Sequence, residues 1–386
     1  MKGKLKTFAL IFAISVVPTL LIWLPFAIRL ENLWSIPLPQ DGMATIVSNY
    51  DGPLYIVVAK TFYNPEMIKA AFNIPLPVEY YAAHFPLYPL LIRAFSYVMG
   101  YPYAMLFVTL TTSYLAIYFF YKFMSRYFKG SNLIWLTIVF SIFPARWLIA
   151  RSVGSPEPLF IAAVIASVYY FQKKNYWLAG LWGVAAQLTK SPGILLFIAY
   201  ILAIFIPEFK KLATKSFSES LRSLNLSRYL PLLLIPLSLL GLFYFYQLRM
   251  GDFFAYFNSG DNIHLLFPPF QIFNYSAPWV GTFWLEEIIF IYMIGLIGLM
   301  QLIKQKRNVP MWFVGVFLIS IFFVSHRDVM RYLLPIIPFL HLAYSKYEVK
   351  TEFKIVIAIL IIPIYLYSLA YISQNTMPIS DWSPFL

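Results

Sequence analysis

Six stretches carry side chains that could do chemistry. Asp51 sits in Asn49-Tyr50-Asp51-Gly52-Pro53-Leu54-Tyr55. Asp-Gly-Pro is turn chemistry, so the carboxylate is either a solvated turn residue or a proton acceptor beside a substrate cavity. Glu157, in Gly154-Ser155-Pro156-Glu157-Pro158-Leu159-Phe160, opens an apolar run. An acid there can simply complement a helix N-terminus, with Pro on both sides suiting a first turn. His84-Phe85-Pro86-Leu87-Tyr88-Pro89-Leu90-Leu91-Ile92-Arg93 follows Tyr80 and Tyr81 and could line a polar interfacial cavity. A single His is more often structural. Lys190, in Leu188-Thr189-Lys190-Ser191-Pro192-Gly193, is a lone cation between two apolar runs. It either snorkels or meets a phosphate as a point charge. His326-Arg327-Asp328-Val329-Met330-Arg331 offers a second cationic site, read as surface pairing and snorkelling or as an anionic headgroup contact. Gly251-Asp252, Asp261 and His264 could hold a metal, but their spacing is unspecific.

The elements that must position these residues are membrane helices. Hydrophobic residues make up 61% of the 386-residue chain and charged residues 12%, against roughly 45–50% and 25% in soluble domains. That excludes a soluble globular protein and intrinsic disorder. There is no cysteine, so no disulfide, thiolate site or Cys nucleophile exists, and four His make a His-rich metal site improbable. Eleven apolar runs are read as crossings: 7–28, 102–120, 133–150, 156–171, 176–189, 192–206, 229–248, 284–303, 309–325, 332–344 and 355–372. No internal repeat or low-complexity tract interrupts them.

The net charge of +13 has two readings, nucleic acid or membrane topology. Position decides between them. Nineteen of the 29 basic residues fall in six clusters, at 2–6, 122–129, 173–174, 210–228, 304–307 and 346–354. If each run crosses once, all six lie on one side, which makes that side cytoplasmic and places the N-terminus there. A nucleic-acid partner is thereby removed. The segment 84–100 is apolar, yet a crossing there would reverse the cluster 122–129, so it is read as interfacial or re-entrant. Long outer loops then span 29–85 and 249–283, and the polar stretch 208–228 is an inner amphipathic connector. Under this topology the acids, cations and aromatics gather at the outer ends of separate helices. That suits a site for a polar, charged substrate attached to lipid and not an ion conduit, which needs ionisable groups through the bilayer depth.

With these residues in order, the chain resembles the GT-C polytopic glycosyltransferases, and within them the PIG-V-type (GPI mannosyltransferase-like) family. The matching stretches are Tyr50-Asp51-Gly52 with Tyr55, the Phe-Pro-Leu-Tyr-Pro-Leu-Leu of 85–91 with Arg93, Ser155-Pro156-Glu157 with Leu159 and Phe160, Leu188-Thr189-Lys190-Ser191-Pro192-Gly193, Gly251-Asp252, and Arg331-Tyr332-Leu333-Leu334-Pro335. Tyr50 stands where the family has Trp, Pro158 where it has Ser, and Lys190-Ser191 where it has Arg-Pro. The resemblance implies an all-α, GT-C-type bundle of about 11 transmembrane helices (10–12), with interfacial helices in the first outer loop, forming a single domain over 1–386. It implies inverting transfer of a hexose, most often mannose, from a polyprenyl-phosphate donor to a lipid or glycan acceptor on the non-cytoplasmic face. Asp51 would be the general base. Lys190, Arg331 and Arg93 would bind the donor phosphate, and Tyr50, Tyr55, His84, Tyr88, Glu157 and Asp252 the substrates. No cofactor is implied; a divalent metal is compatible with the chemistry but not required. The rival readings are a lipid-linked-sugar or lipid-phosphate transporter without catalysis, and a scaffold subunit with a decayed site.

Overall fold

A computed structural model describes residues 2–211, 226–274 and 285–386. The connector expected at 208–228 and the stretch 275–283 of the second loop lie largely outside the described residues. Within the described residues, each of the eleven apolar runs lies mainly on helix. The chain begins with α1 (Lys2–Ala27), followed by a two-residue antiparallel pair, β1 (Asn32–Leu33) with β2 (Ile36–Pro37). Three short helices fill the rest of the first loop: α2 (Met43–Val47), α3 (Gly52–Thr61) and α4 (Pro65–Ala71). A 3-10 turn, Val78–Ala83, leads to α5 (Leu87–Met99), α6 (Tyr101–Met124), α7 (Gly130–Ile142), α8 (Ala145–Ala150), α9 (Glu157–Gln172), α10 (Tyr176–Gln187) and α11 (Ile194–Lys211). Then come α12 (Leu234–Met250), α13 (Leu285–Lys304), α14 (Asn308–Phe322), α15 (Val329–Leu333), α16 (Ile337–Glu348) and α17 (Thr351–Gln374).

Among the described residues, five stretches are long and apolar enough to cross a membrane: 5–27, 101–124, 226–250, 285–304 and 351–374. Their sides stay apolar where no protein covers them, as at Phe12, Leu20, Leu24, Ile359 and Ile362, all of them exposed. A helix that is apolar all round and partly uncovered has lipid as its solvent. Shorter apolar helices, α5, α7, α9, α11 and α14, accompany them. The run 133–150 is not one helix: Pro144 separates α7 from α8, because Pro supplies no backbone N–H and clashes with the preceding turn. At 13 residues α5 is about 20 Å long, too short to span roughly 30 Å of hydrocarbon alone.

The chain resolves into two compact units. The first comprises Met1–Ala162, Phe243–Asn262 and Ser345–Leu386, and the second Ala163–Leu242 and Ile263–Tyr344. In the first, α5 packs on α6 and α3, and the end of α3 meets α4, whose start is fixed by Asn64 accepting from the Met67 N–H at 3.0 Å, with Pro65 following. In the second, α11 packs on α14, and Phe171 stacks on Tyr200 at 4.4 Å while Ser167 bonds the Tyr200 hydroxyl at 2.6 Å.

Candidate active site

Asp51 occupies the N-cap position of α3, yet its side chain makes no capping bond there. Asn64 and Asn175 do cap their helices. Capping is the ordinary use of an Asp at this position, and Asp51 is not put to that use. The preceding residue, Tyr50, has φ +50°, a conformation that costs a bulky L residue of order 1–3 kcal/mol and persists only where surroundings impose it. Those surroundings are the far end of the chain. Buried Asn49 donates to the Ile372 carbonyl at 2.8 Å and to Thr45 at 3.1 Å; the Tyr50 N–H reaches Asn375 at 3.3 Å, and the Met377 N–H reaches Ser48 at 2.7 Å. The turn holding Asp51 is thus clamped to the end of α17.

Close packing carries this turn to the start of α9. A Cβ on Gly52 would lie 2.3 Å from the Val47 carbonyl, 3.3 Å from Met105 Cε and 3.4 Å from the Gly154 carbonyl. A Cβ on Gly154 would strike the same Met105 side chain at 2.2 Å. The hydrogen at Gly52 is required by backbone, and that at Gly154 by the present position of the Met105 side chain, for the two segments to approach. Glu157, nearly fully buried, then opens α9. The Ser155 hydroxyl fixes the approach by donating to the Ala150 carbonyl at 2.6 Å.

One helical turn beyond Asp51, Tyr55 shares its face of α3 and packs edge-on to His84 at 4.8 Å and to Tyr88 at 5.1 Å. His84 is buried among Tyr55, Tyr80 and Tyr81, and its carbonyl accepts from the Tyr63 hydroxyl at 2.5 Å. Burial pushes the Tyr81 phenol up to about 12. Tyr88 bonds Thr109 of α6 at 2.7 Å. Burial disfavours ionisation of the Tyr88 phenol, and the nearby Glu157 carboxylate disfavours it further. Asp51, Tyr50, Tyr55, His84, Tyr88 and Glu157 therefore form one neighbourhood in the first unit.

The other expected residues lie elsewhere. Arg93 is at the opposite end of α3, donating to the Ala59 carbonyl at 3.4 Å. Asp252 ties its own loop, accepting from the Phe254 N–H at 2.8 Å and Asn258 at 2.6 Å. Lys190 and Arg331 belong to the second unit, the former opening the 3-10 turn Ser191–Gly193 and the latter on α15. In that unit His264 and His326 lie 4.4 Å apart, both beside Tyr332. Among the described residues no three His, Asp or Glu side chains gather as a metal ion would require.

Sequence reasoning missed Arg146. Its guanidinium lies 3.7 Å from the Tyr371 ring centroid, and Tyr371 in turn is 5.9 Å from Tyr50. A cation thus reaches the Asp51 turn through two aromatic rings. The signal was present as an Arg inside the apolar run 133–150.

These features define a polytopic helical bundle with a carboxylate-bearing first loop. Its fold is that seen in the crystal structure of ArnT from Cupriavidus metallidurans bound to undecaprenyl phosphate, with a TM-score of 0.54 at 14% identity, covering 94% of this chain. The chain spans 64% of the length of that protein. No protein-family model and no curated protein matches the sequence.

Proposed function

We propose that the protein is a membrane glycosyltransferase that moves a sugar from a polyprenyl-phosphate carrier to a hydroxyl acceptor, with Asp51 as general base. One observation carries this reading: a carboxylate not spent on capping its helix, held on a strained turn beside Glu157, Tyr55 and His84, in a fold shared with a protein solved with undecaprenyl phosphate bound. In the step proposed, the acceptor oxygen attacks the anomeric carbon as Asp51 takes its proton. The bond to the carrier phosphate breaks on the opposite face, inverting the centre. The departing phosphate monoester gains negative charge and needs fixed cations; Lys190 and Arg331 are proposed for this on the family resemblance alone. Glu157 and His84 orient sugar hydroxyls. Glu157 and His84 are buried, which strengthens their polar contacts to a bound sugar.

A hexose, with mannose first, is the proposed sugar, on the strength of the PIG-V-type resemblance, and a lipid or glycan the acceptor. The site is proposed to face away from the cytoplasm, following the basic clusters. The test offers purified protein polyprenyl-phosphate mannose and polyprenyl-phosphate glucose with extracted membrane lipids as acceptors. Sugar transfer to lipid supports the assignment. Counterflow of labelled carrier in proteoliposomes without any transfer would replace it with a transporter.

A further inference from the structure

The opposite end of α3 builds a second site. A cleft of about 330 Å³ is lined by Lys60, Thr61, Phe62, Met67, Leu90, Arg93 and Arg249, all within the first unit. Three of these are cations and none is an acid. Arg249, at the end of α12, donates from Nε to the Phe62 carbonyl at 3.0 Å and from Nη2 to Thr61 at 3.4 Å. Arg93 reaches the Ala59 carbonyl at 3.4 Å. Lys60 Nζ is held by the Pro384 and Leu386 carbonyls, at 2.7 and 2.5 Å, and lies 4.8 Å from the Tyr101 ring centroid. Burial lowers the Lys60 pKa.

The bland account is that these cations cap the negative end of α3. Its charge does not balance. A helix C-terminus carries roughly half a negative charge, against two guanidinium groups even when Lys60 is assigned to the Pro384 and Leu386 backbone oxygens. Each Arg has five N–H donors, and the bonds described use one on Arg93 and two on Arg249. The remaining lining is apolar: Met67 and Leu90 are both exposed at the rim. A cleft of this size, at the small end of ligand pockets, with paired guanidinium groups on one side and an apolar lip on the other, fits an anion carried by an apolar chain.

We infer that this cleft binds a phosphate ester, gripped by Arg93 and Arg249, with the apolar lip taking its hydrocarbon. This site is separate from the Asp51 neighbourhood by the length of α3, about 15 Å for ten residues.

The test measures ligand retention on the intact protein in detergent by native mass spectrometry. The probes are phosphatidic acid, phosphatidylcholine and glycerol 3-phosphate. Two variants probe the cleft differently: Arg93→Gln with Arg249→Gln removes the grip, and Leu90→Glu adds a like charge at the rim without touching the bonds to α3. Phosphatidic acid binding should fall about tenfold or more in both variants, and phosphatidylcholine retention should stay unchanged. Glycerol 3-phosphate binding as tightly as phosphatidic acid, and lost in the same variants, would support the phosphate site with a soluble source. Equal retention of phosphatidic acid by wild type and a folded Leu90→Glu variant would overturn the inference, as would wild type retaining neither phosphate ligand. None of these readouts depends on sugar transfer.

Discussion

Replacing Gly52 by Ala sets two effects against each other. Ala favours helix by at most about 1 kcal/mol over Gly, so propensity alone makes the change stabilising at the first residue of α3. Sterics oppose it. The new Cβ would stand 2.3 Å from the Val47 carbonyl, and reaching the 3.0 Å minimum of real contacts needs a shift of at least 0.7 Å. The obstacle is backbone, which cannot rotate away. Overpacking of this kind costs about 1–3 kcal/mol, so the net is destabilisation. The larger effect is on chemistry, because the displaced residue adjoins Asp51, and a misplacement near 1 Å costs about 10²-fold in rate. Gly154→Ala is the internal control. Its Cβ strikes Met105 Cε at 2.2 Å and Sδ at 2.6 Å, the far end of a flexible side chain. The loss should be smaller and should be relieved by adding Met105→Ala. The assay is initial-rate transfer by purified variants, alongside thermal melting. Gly52→Ala turning over within about threefold of wild type would refute the claim that this packing positions Asp51.

Lys190→Ala should raise the KM for the polyprenyl-phosphate donor more than that for the acceptor in a two-substrate kinetic series; the reverse order removes Lys190 from the phosphate. Asn49→Ala takes the buried side-chain donor from the Ile372 carbonyl, while the Thr45 carbonyl keeps the Ser48 hydroxyl, and should cost about 1–3 kcal/mol, seen as a lower Tm. The Tyr81 phenol is raised from 10.0 to about 12, so above pH 10 the unfolded chain releases this proton before the folded one. Stability is therefore fully present below pH 10 and falls as pH rises toward 12; Tyr81→Phe should show a shallower alkaline loss in melting scans.

The helical runs and their membrane solvent were legible because lipid demands long apolar stretches with satisfied backbone, a strong and local pattern. The break at Pro144 needed no more than its missing N–H, yet high apolarity on both sides of it masks the boundary between α7 and α8. That Asp51, Tyr55, His84, Tyr88 and Glu157 belong together was implied only by the family resemblance, since these residues are spread along the chain from 51 to 157. The supports of that neighbourhood were not legible either. Asn49 is clamped by residues more than 320 positions away, and contacts of that separation leave no local periodicity. Arg93 shows the converse: its type fits a phosphate contact, but only the length of α3 places it at the far end from Asp51. Arg146 was hidden because one charge barely changes the mean hydropathy of an 18-residue run, although an intramembrane cation is itself a functional signal.

Asp51 is proposed to take the acceptor's proton. The most direct test is transfer by Asp51→Asn from labelled polyprenyl-phosphate sugar, since the amide keeps the shape and removes the base. Turnover should fall about 10²–10⁴-fold in a protein that inserts into membranes and melts like wild type. Near-normal transfer by that variant would contradict the account.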